Sequence, residues 1–346
     1  MVTVETRAQG RSARELLTWS RRMIDPALHT AVDRLPTSMR RVAGYHFGWW
    51  DEQGRPGNGQ AGKAFRPTLV LLTTEAVGGN ALDAVPAAVA VELAHNFSLL
   101  HDDVLDGDLT RRHRPTAWSV FGVSEAILAG DALLTLAFDV LAGCGHRASG
   151  SAIRALSAAV LEQVNGQSAN VAFEERTDVG LSECVYMAAS KTAALMGCAA
   201  TLGALFGDAG VKQIERLRDF GEHLGVAFQF VDDVLGIWGD PAVTGKPVHS
   251  DLSNRKKTLP VVAALTSGTP AGRELAALYH GTQPLSDLDL ARAAGLIDAA
   301  GGRAWAEARA EHRLAHALSH LESARPLPVS AAELSSLARL VVRRDH

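Results

Sequence analysis

Cysteine, aromatic residues and surplus positive charge are all scarce in this sequence. There are three cysteines in 346 residues, aromatic residues make up 5%, and the formal net charge is −4. Because Cys144, Cys184 and Cys198 follow no CxxC or metal-ligand spacing, we expect no disulfides and a reducing compartment. A general nucleic-acid-binding protein would carry a marked basic surplus. No nucleic-acid partner is therefore expected.

Segments that would direct the chain to or through a membrane are also missing. Residues 1–7 contain no apolar stretch of the kind found in signal peptides, and no run of about 18 uncharged apolar residues occurs. We therefore expect a cytoplasmic protein with no membrane span. Helical patterns begin near residue 12, so residues 1–12 are expected to be disordered. Residues 13–346 contain no linker and are expected to form one domain, although length alone would favour two.

Proline is absent between residues 116 and 240, and the alternation of valine and isoleucine that is typical of strands is rare. Hydrophobic residues make up 47% of the sequence, and the prominent alanine and leucine favour helices. The sequence therefore predicts an all-α protein. Near its beginning, Asp25 and Pro26 fit the N-cap and first residue of a second helix.

A polar stripe runs through an otherwise apolar stretch between residues 95 and 106. In a helix, His95, Ser98, Asp102 and Asp106 share one face. Two partly buried carboxylates one turn apart repel each other and need a cation nearby. The spacing does not fit the EF-hand calcium loop, whereas Mg²⁺ accepts one or two carboxylates plus substrate phosphates. Considered alone, the same stripe also fits a solvated acidic helix end.

A second acidic site far downstream favours the metal interpretation. The run from Phe228 to Gly236 again carries aspartates in an apolar helical pattern, and Gln229 and Asp232 share a face. A phosphate-binding P-loop after this run is excluded. Five residues instead of four separate the two glycines of the pattern, and Pro247 replaces the required Ser or Thr.

Cationic residues accompany both acidic sites. Lys63 and Arg66 precede a predicted helix, where backbone N–H groups and the helix dipole favour phosphate, although both also fit ordinary surface cations. Arg111 and Arg112 follow the first acidic stripe and suit a diphosphate held between metal and guanidinium groups. Lys191 lies in an apolar helix, so it either extends to solvent or faces a buried anion.

In this order, the motifs between Gly62 and Pro260 resemble those of the trans-isoprenyl diphosphate synthases, the polyprenyl synthetase family, and most of all its geranylgeranyl-forming members. The resemblance implies the isoprenoid synthase fold, in which helices surround a deep central cavity with two Asp-rich motifs at its mouth. It also implies a homodimer. The implied reaction is a Mg²⁺-dependent ionisation, condensation and elimination that joins isopentenyl diphosphate to an allylic diphosphate.

The resemblance also implies residue roles. About three Mg²⁺ ions, or Mn²⁺ as a substitute, would be bound by Asp102, Asp106 and Asp232. The allylic diphosphate would contact Arg111, Lys191 and Lys246. Isopentenyl diphosphate would be held by Lys63, Arg66, His95 and Arg112, with Lys256 nearby. The residues facing the allylic carbon would be Thr192 and Gln229.

Product length is expected to depend on the helix below the first Asp-rich motif. Phe97 lies five residues before Asp102, about 7.5 Å along the axis, and could form a floor, while the small Ser98 leaves room above it. This pair resembles the twenty-carbon-forming members, with a fifteen-carbon product as the alternative. Phe97 also fits an ordinary core residue.

Three positions depart from the family pattern. Gly236 stands where the second motif usually has a third aspartate, Asn170 where the Gly-Gln motif usually ends in aspartate, and Ala64 where many members have arginine. We expect Gly236→Asp to fold normally and to tighten the metal dependence, since it restores a carboxylate.

Two other functions share part of the pattern. A class I terpene cyclase has the same fold and metal chemistry but needs no second diphosphate site, which Lys63, Arg66, His95 and Arg112 argue against. A non-catalytic modulating subunit of a prenyl synthase is a further alternative, because Gly236 and Asn170 stand where the family pattern has aspartates.

Overall fold

The computed structural model describes residues 10–57, 59, 62–241, 248–281 and 283–342. Helices make up nearly all of this part, which confirms the predicted all-α class. Besides one isolated bridge, the only strand pairing among the described residues is an antiparallel ribbon of Thr110–Arg111 and Arg114–Pro115. The ribbon lies directly after the first acidic motif and therefore helps to build the site.

The helices follow one another with short connections. A 3₁₀ turn, Ala81–Ala84, leads into the fourth helix, and a π-helical segment, Ala189–Ala193, separates the eighth from the ninth. The helices are α1 (Ala13–Val32), α2 (Thr37–Phe47), α3 (Phe65–Ala76), α4 (Val85–Leu105), α5 (Ala117–Phe121), α6 (Val123–Gly143), α7 (Ser149–Glu175), α8 (Leu181–Ala188), α9 (Ala194–Phe206), α10 (Val211–Trp238), α11 (Ser250–Ser253), α12 (Leu259–Leu265), α13 (Pro270–Tyr279), α14 (Asp287–Ala299), α15 (Gly302–Ser323) and α16 (Pro328–Val342).

The prediction that a new helix begins at Pro26 is wrong, because α1 continues through it. Proline inside a helix is unfavourable by about 3 kcal/mol. Ile24 and Leu28, on either side of it, are almost completely buried, and burial of such a side chain contributes about 1.5–3 kcal/mol. Packing of these two side chains therefore outweighs the local penalty.

The beginning of α1 is fixed by specific contacts. The Ser12 side chain accepts a hydrogen bond from the Glu15 backbone, and Glu15 accepts one from the Ser12 N–H, which forms a capping box. The Arg11 guanidinium pairs with Glu333 on α16 at 2.7 Å and with Glu75 on α3 at 2.5 Å. Residues 1–9 lie outside the described part, so the disorder expected there stays a prediction.

Helices α4 and α10 run through the centre of the fold and carry the two acidic motifs. α4 is buried along most of its length between α3 and α6, and α10 packs against α9 and α15. Both motifs lie near the C-terminal ends of these helices. A helix C-terminus carries partial negative charge, which makes carboxylates there less favourable. The fold thus concentrates negative potential where a cation would be stabilised.

The π-helical segment reaches the site through a close helix approach. A Cβ on Gly166 of α7 would overlap the Lys191 backbone nitrogen and lie 2.8 Å from its Cα. Only glycine allows α7 to come this near. π-Helical turns are frequent at functional sites, because the extra residue re-aims side chains.

Two helical stretches, Val123–Gly143 and Leu181–Phe206, are long and apolar enough to cross a membrane. In the first stretch, 39% of the most apolar window is buried inside the protein, and in the second stretch the buried share is 72%. Core packing therefore accounts for the second. The exposed positions of the first include Asp131, Thr135 and Asp139, and the expected lack of a membrane span stays a prediction.

Candidate active site

The two acidic motifs face each other across one cleft of about 320 Å³. Most of the predicted site residues line it, on side chains from α3, α4, the ribbon, the π-helical segment, α10 and the chain around α11. They are Arg66, His95, Ser98, Asp102, Asp106, Arg111, Arg112, Lys191, Thr192, Gln229, Asp232 and Lys256. Residues separated by up to 190 positions thus meet in one place.

Three predicted residues stand apart from this group. Lys63 is exposed at the start of α3 and is not among the residues lining the cleft. Phe97 is 7% exposed, belongs to the core and packs edge-on against His101 with ring centroids 4.8 Å apart. Lys246 lies outside the described residues. Their predicted roles stay predictions.

Size alone does not identify the site. Cavities of about 670 and 420 Å³ also occur in the described part of the chain. The larger one follows α10, α15 and α16 and is lined mainly by apolar side chains. The acidic and basic side chains of both motifs converge in the cleft of about 320 Å³. That cleft is therefore the candidate site for ionic substrates.

The first motif combines carboxylates with lysines. Lys256 Nζ donates a hydrogen bond to Asp106 at 2.7 Å, and Lys191 Nζ lies 3.9 Å from Asp102. Burial raises the pKa of the Asp102 carboxyl, and the neighbouring Asp106 raises it further, while Lys191 lowers it. A divalent cation between the carboxylates would relieve this unfavourable burial of negative charge.

In each motif the adjacent aspartate has a structural role. Asp103 is buried and accepts hydrogen bonds from Arg111, with Arg111 Nη2 at 2.6 Å. Asp233 accepts from Gln229 Nε2 at 2.6 Å and from the Leu259 N–H at 2.8 Å, and burial raises its pKa to about 7. Asp103 therefore fixes Arg111, and Asp233 fixes Gln229 and the start of α12.

Thr192 of the π-helical segment and Gln229 of α10 form a hydrogen-bonded polar pair that lines the cleft. Thr192 Oγ1 donates to Gln229 Oε1 at 2.5 Å, and Gln229 in turn donates to Asp233. This chain fixes the orientation of the Gln229 amide. Its carbonyl oxygen and the Thr192 oxygen therefore present lone pairs near the cleft, which suits a developing positive charge.

Arginines surround His95 in the same cleft. Arg66 Nη1 donates to His95 Nε2 at 3.2 Å, and a Cβ on Gly62 would lie only 2.9 Å from Arg112 Cζ. Burial, together with the nearby arginines, holds the pKa of His95 well below its usual range. His95 is therefore neutral, accepts at Nε2 and carries its proton on Nδ1. The cleft thus contains a group of arginines around His95 as well as the lysines at the first acidic motif.

The ribbon holds Arg111 and Arg112 in an uncommon backbone geometry. Its two-residue turn, Arg112-His113, has φ values of 52° and 61°. Hairpin turns with two positive φ values normally contain Asn or Gly, because other residues are disfavoured there. Retaining arginine at such a position is typical of functional sites.

The donor set fits Mg²⁺. No three His, Cys, Asp or Glu side chains of the described residues converge into a preformed metal site. Mg²⁺ rarely uses an all-protein cage and is usually bound by one or two carboxylates, waters and substrate phosphates. Asp102, Asp106 and Asp232 offer hard oxygen ligands only, which agrees with this chemistry.

Several lining residues had no clear signal in the sequence. The apolar Leu99, Met187 and Phe228 resemble core residues of their helices, and Gln163 and Thr258 are single polar residues in helical or loop segments. Asp251 also lines the cleft, on the short helix α11. A Cβ on Gly236 would overlap Asp251 Oδ2 and lie 2.7 Å from its Cγ. Gly236→Asp would therefore require the Asp251 carboxylate to move, and the expectation that this variant folds normally stays a prediction.

The chain is similar to known proteins in sequence and in fold. A model of the polyprenyl synthetase family matches residues 56–296. A (2E,6E)-farnesyl diphosphate synthase of Mycobacterium tuberculosis is 50% identical over 93% of this chain and 91% of that protein. A geranylgeranyl diphosphate synthase of the same organism is 46% identical, over 95% and 93%. The crystal structure of a polyprenyl synthetase from Streptomyces coelicolor A3(2) has a TM-score of 0.90 at 44% identity, covering 94% of this chain and 98% of that one. The predicted isoprenoid synthase fold is confirmed, while the two relatives are named for different products.

Proposed function

We propose, from the premise that this chain belongs to the polyprenyl synthetase family, that it catalyses Mg²⁺-dependent transfer of an allylic prenyl group to isopentenyl diphosphate. The observation that carries this proposal is the division of the cations in one cleft. Lys191 and Lys256 lie against the acidic motif, whereas Arg66, His95 and Arg112 form a second group. Two anion sites match a reaction with two diphosphate substrates.

The carboxylates hold the metal side of the cleft. Asp102, Asp106 and Asp232 would hold about three Mg²⁺ ions, which would supply positive charge to stabilise the leaving diphosphate. Lys191 and Arg111 add positive charge to the same group. Lys256 contacts Asp106, which supports the allylic side and not the isopentenyl side suggested by the sequence. Lys246 keeps its expected place among the allylic ligands.

The second group holds isopentenyl diphosphate. Arg66 and Arg112 contribute charge, and neutral His95 contributes a hydrogen bond without repelling them. Lys63, exposed at the start of α3, extends this group toward the solvent side. The double bond of the bound substrate is then directed at the allylic carbon.

The reaction breaks the allylic C–O bond and one C–H bond, and it forms a C–C bond and an O–H bond on diphosphate, while a carbon–carbon double bond is restored as the proton leaves. The allylic C–O bond breaks with its electron pair going to diphosphate, and the isopentenyl double bond forms the new C–C bond. A proton is then lost to the departing diphosphate. Thr192 and Gln229 stabilise the positive charge through their oxygen lone pairs, and the buried cleft excludes water that would capture the cation.

For the product we propose geranylgeranyl diphosphate. Ser98, one turn before Asp102, lines the cleft with a small side chain, which leaves room for a growing prenyl tail. Farnesyl diphosphate is the second candidate product, because a relative named as a farnesyl diphosphate synthase is 50% identical to this chain. The arginines around His95 argue against a terpene cyclase, and Asp102, Asp106 and Asp232 in the cleft argue against a non-catalytic subunit.

We also propose a cytoplasmic homodimer. The side chains of Leu161, Val164 and Val171 share one face of α7 and are exposed. Exposed apolar side chains in a row are typical of protein interfaces.

Product analysis tests the proposal. Purified protein is incubated with isopentenyl diphosphate and each short allylic diphosphate, with Mg²⁺ or with EDTA, and the products are identified after dephosphorylation. We expect a twenty-carbon alcohol with Mg²⁺ and none with EDTA. A cyclic hydrocarbon, or no product from any primer, would contradict the proposal.

A further inference from the structure

In the second acidic motif Asp232 and Asp233 both line the cleft, but Asp233 is buried and accepts hydrogen bonds from Gln229 and the Leu259 N–H. Asp102 and Asp106 are one helical turn apart on α4, so both face the cleft. On α10, the corresponding position one turn after Asp232 is Gly236, which has no side chain. Position 236 therefore marks the place where a second carboxylate of this motif would begin.

That place is taken by a carboxylate from another segment. Oδ2 of Asp251 lies so close to Gly236 that a Cβ there would overlap it, and the Cγ would be 2.7 Å away. Asp251 also lines the cleft together with Asp232 and Asp106. Glycine at 236 and aspartate at 251 thus fit each other, since any larger residue at 236 would displace the carboxylate.

The segment that carries Asp251 is anchored on α10. Helix α11 packs against α10, and its Leu252 is completely buried. The Asp251 carbonyl accepts a hydrogen bond from the Lys256 N–H at 3.0 Å, which links it to the lysine on Asp106. These contacts hold the carboxylate at a defined position.

We infer that Asp251 supplies the second carboxylate of the downstream metal site, in place of the residue missing at position 236, and holds a Mg²⁺ ion or one of its waters together with Asp232. This inference rests on the proposed metal-dependent function. It assigns a role to a residue outside both Asp-rich motifs and explains how the motif tolerates glycine.

Metal binding tests the inference without turnover. Mn²⁺ binding is measured by equilibrium dialysis at fixed inorganic diphosphate, with a protein-free control, for the wild type and Asp251→Asn. We expect Asp251→Asn to weaken the weakest Mn²⁺ site roughly 10- to 100-fold, as loss of an orienting or ligating carboxylate does. Asp298→Asn, which removes an exposed carboxylate on α14, should bind as the wild type does.

An exchange of the two side chains makes the test specific. The double variant Gly236→Asp/Asp251→Gly should recover Mn²⁺ binding lost in Asp251→Asn, whereas Gly236→Asp alone should not tighten it, because the two carboxylates compete for one space. Circular dichroism melting checks that each variant folds. If the exchange variant does not fold, the Mn²⁺ binding of Asp251→Asn alone decides whether Asp251 contributes to the metal site.

The outcomes separate the two proposals. If Asp232→Asn weakens Mn²⁺ binding while Asp251→Asn leaves it unchanged, the role of Asp251 is wrong and the metal-dependent function stands. If neither these variants nor Asp102→Asn changes binding, the proposed metal site is itself wrong, and the inference falls with it.

Discussion

His95 and Lys191 belong to different cation groups of the cleft, and this difference can be measured. We expect His95→Asn to raise the KM for isopentenyl diphosphate by about tenfold or more, since a hydrogen bond to a charged group contributes about 1.5–3 kcal/mol. Lys191→Ala should instead lower kcat by roughly 100-fold, because charge stabilisation at the leaving group is lost.

Steady-state kinetics with each substrate varied in turn distinguishes these effects. Lys212→Ala, which removes an exposed lysine at the start of α10, serves as the control and should change neither constant. If His95→Asn and Lys191→Ala affect both substrates equally, the division of the cations into two sites is wrong.

The site residues on helix faces were predictable, and their structural neighbours were not. The i, i+4 spacing of Asp102 and Asp106 is visible in the sequence because one turn of helix puts both on one face. In contrast, Asp232 and Asp233 look alike in the sequence. Asp233 accepts a hydrogen bond from the N–H of Leu259, which lies 26 residues later in the chain. Both line the cleft, and only the tertiary fold decides that Asp233 accepts these structural hydrogen bonds.

At the scale of elements, the contact between α7 and the π-helical segment supports a prediction. A Cβ at Gly166 would overlap the Lys191 backbone, so Gly166→Ala should push the two elements apart. We expect a loss of about 1–3 kcal/mol in unfolding free energy, as in overpacked cores, together with reduced kcat because Lys191 moves.

Urea unfolding and turnover measure the two effects, and a second glycine of the same helix is the control. At Gly150 the nearest atom to an added Cβ is 3.8 Å away, so Gly150→Ala should be neutral or stabilising by up to about 1 kcal/mol. Equal effects of the two substitutions would show that the close approach at Gly166 is unimportant.

The cleft face of α4 also carries the prediction on product length. Ser98 shares the face of Asp102 and lines the cleft, so Ser98→Phe should narrow it and shift the product toward fewer carbons. Ser98→Ala keeps the side chain small and should leave the product unchanged. Product chromatography after dephosphorylation gives the result. An unaltered distribution in Ser98→Phe would place the length control on another helix.

The helices themselves were largely predictable, with informative exceptions. Alanine- and leucine-rich stretches without proline formed the expected helices. The continuation of α1 through Pro26 depends on burial of Ile24 and Leu28. Helix propensities and capping patterns in the sequence do not include such tertiary burial. The π-helical segment was also not predicted, because a shift of one hydrogen bond leaves no period in the sequence.

At the scale of the whole molecule, the exposed apolar face of α7 predicts the oligomeric state. Leu161 is 69% exposed and lies in a row with Val164 and Val171. We expect the wild type to be a dimer and Leu161→Asp to dissociate it, because a buried charge at an apolar interface is unfavourable. Size-exclusion chromatography with light scattering reports the mass.

Leu288 on α14 provides the matched control, since it is 84% exposed and lies outside that face. Leu288→Asp should leave the dimer intact. A monomeric wild type, or a dimer that tolerates both substitutions, would contradict the proposed interface.

The overall fold was predictable because its motifs are specific in combination, although each is weak alone. The arrangement within the cleft was not, because it depends on contacts across the whole chain. Lys256 meets Asp106 from 150 positions away, and Asp251 occupies the space beside Gly236. The sequence contains these residues but not their distances.

The most direct test of the account is incorporation of labelled isopentenyl diphosphate into an extractable prenyl product, measured across a Mg²⁺ titration for the wild type and Asp102→Ala. Asp102 faces Lys191 at the centre of the acidic cleft, so its removal should lower turnover by at least about 100-fold, as loss of charge stabilisation at a leaving group does, at every Mg²⁺ concentration. The wild type should be inactive without a divalent metal. Metal-independent activity, or more than about a tenth of wild-type turnover in Asp102→Ala, would contradict the account.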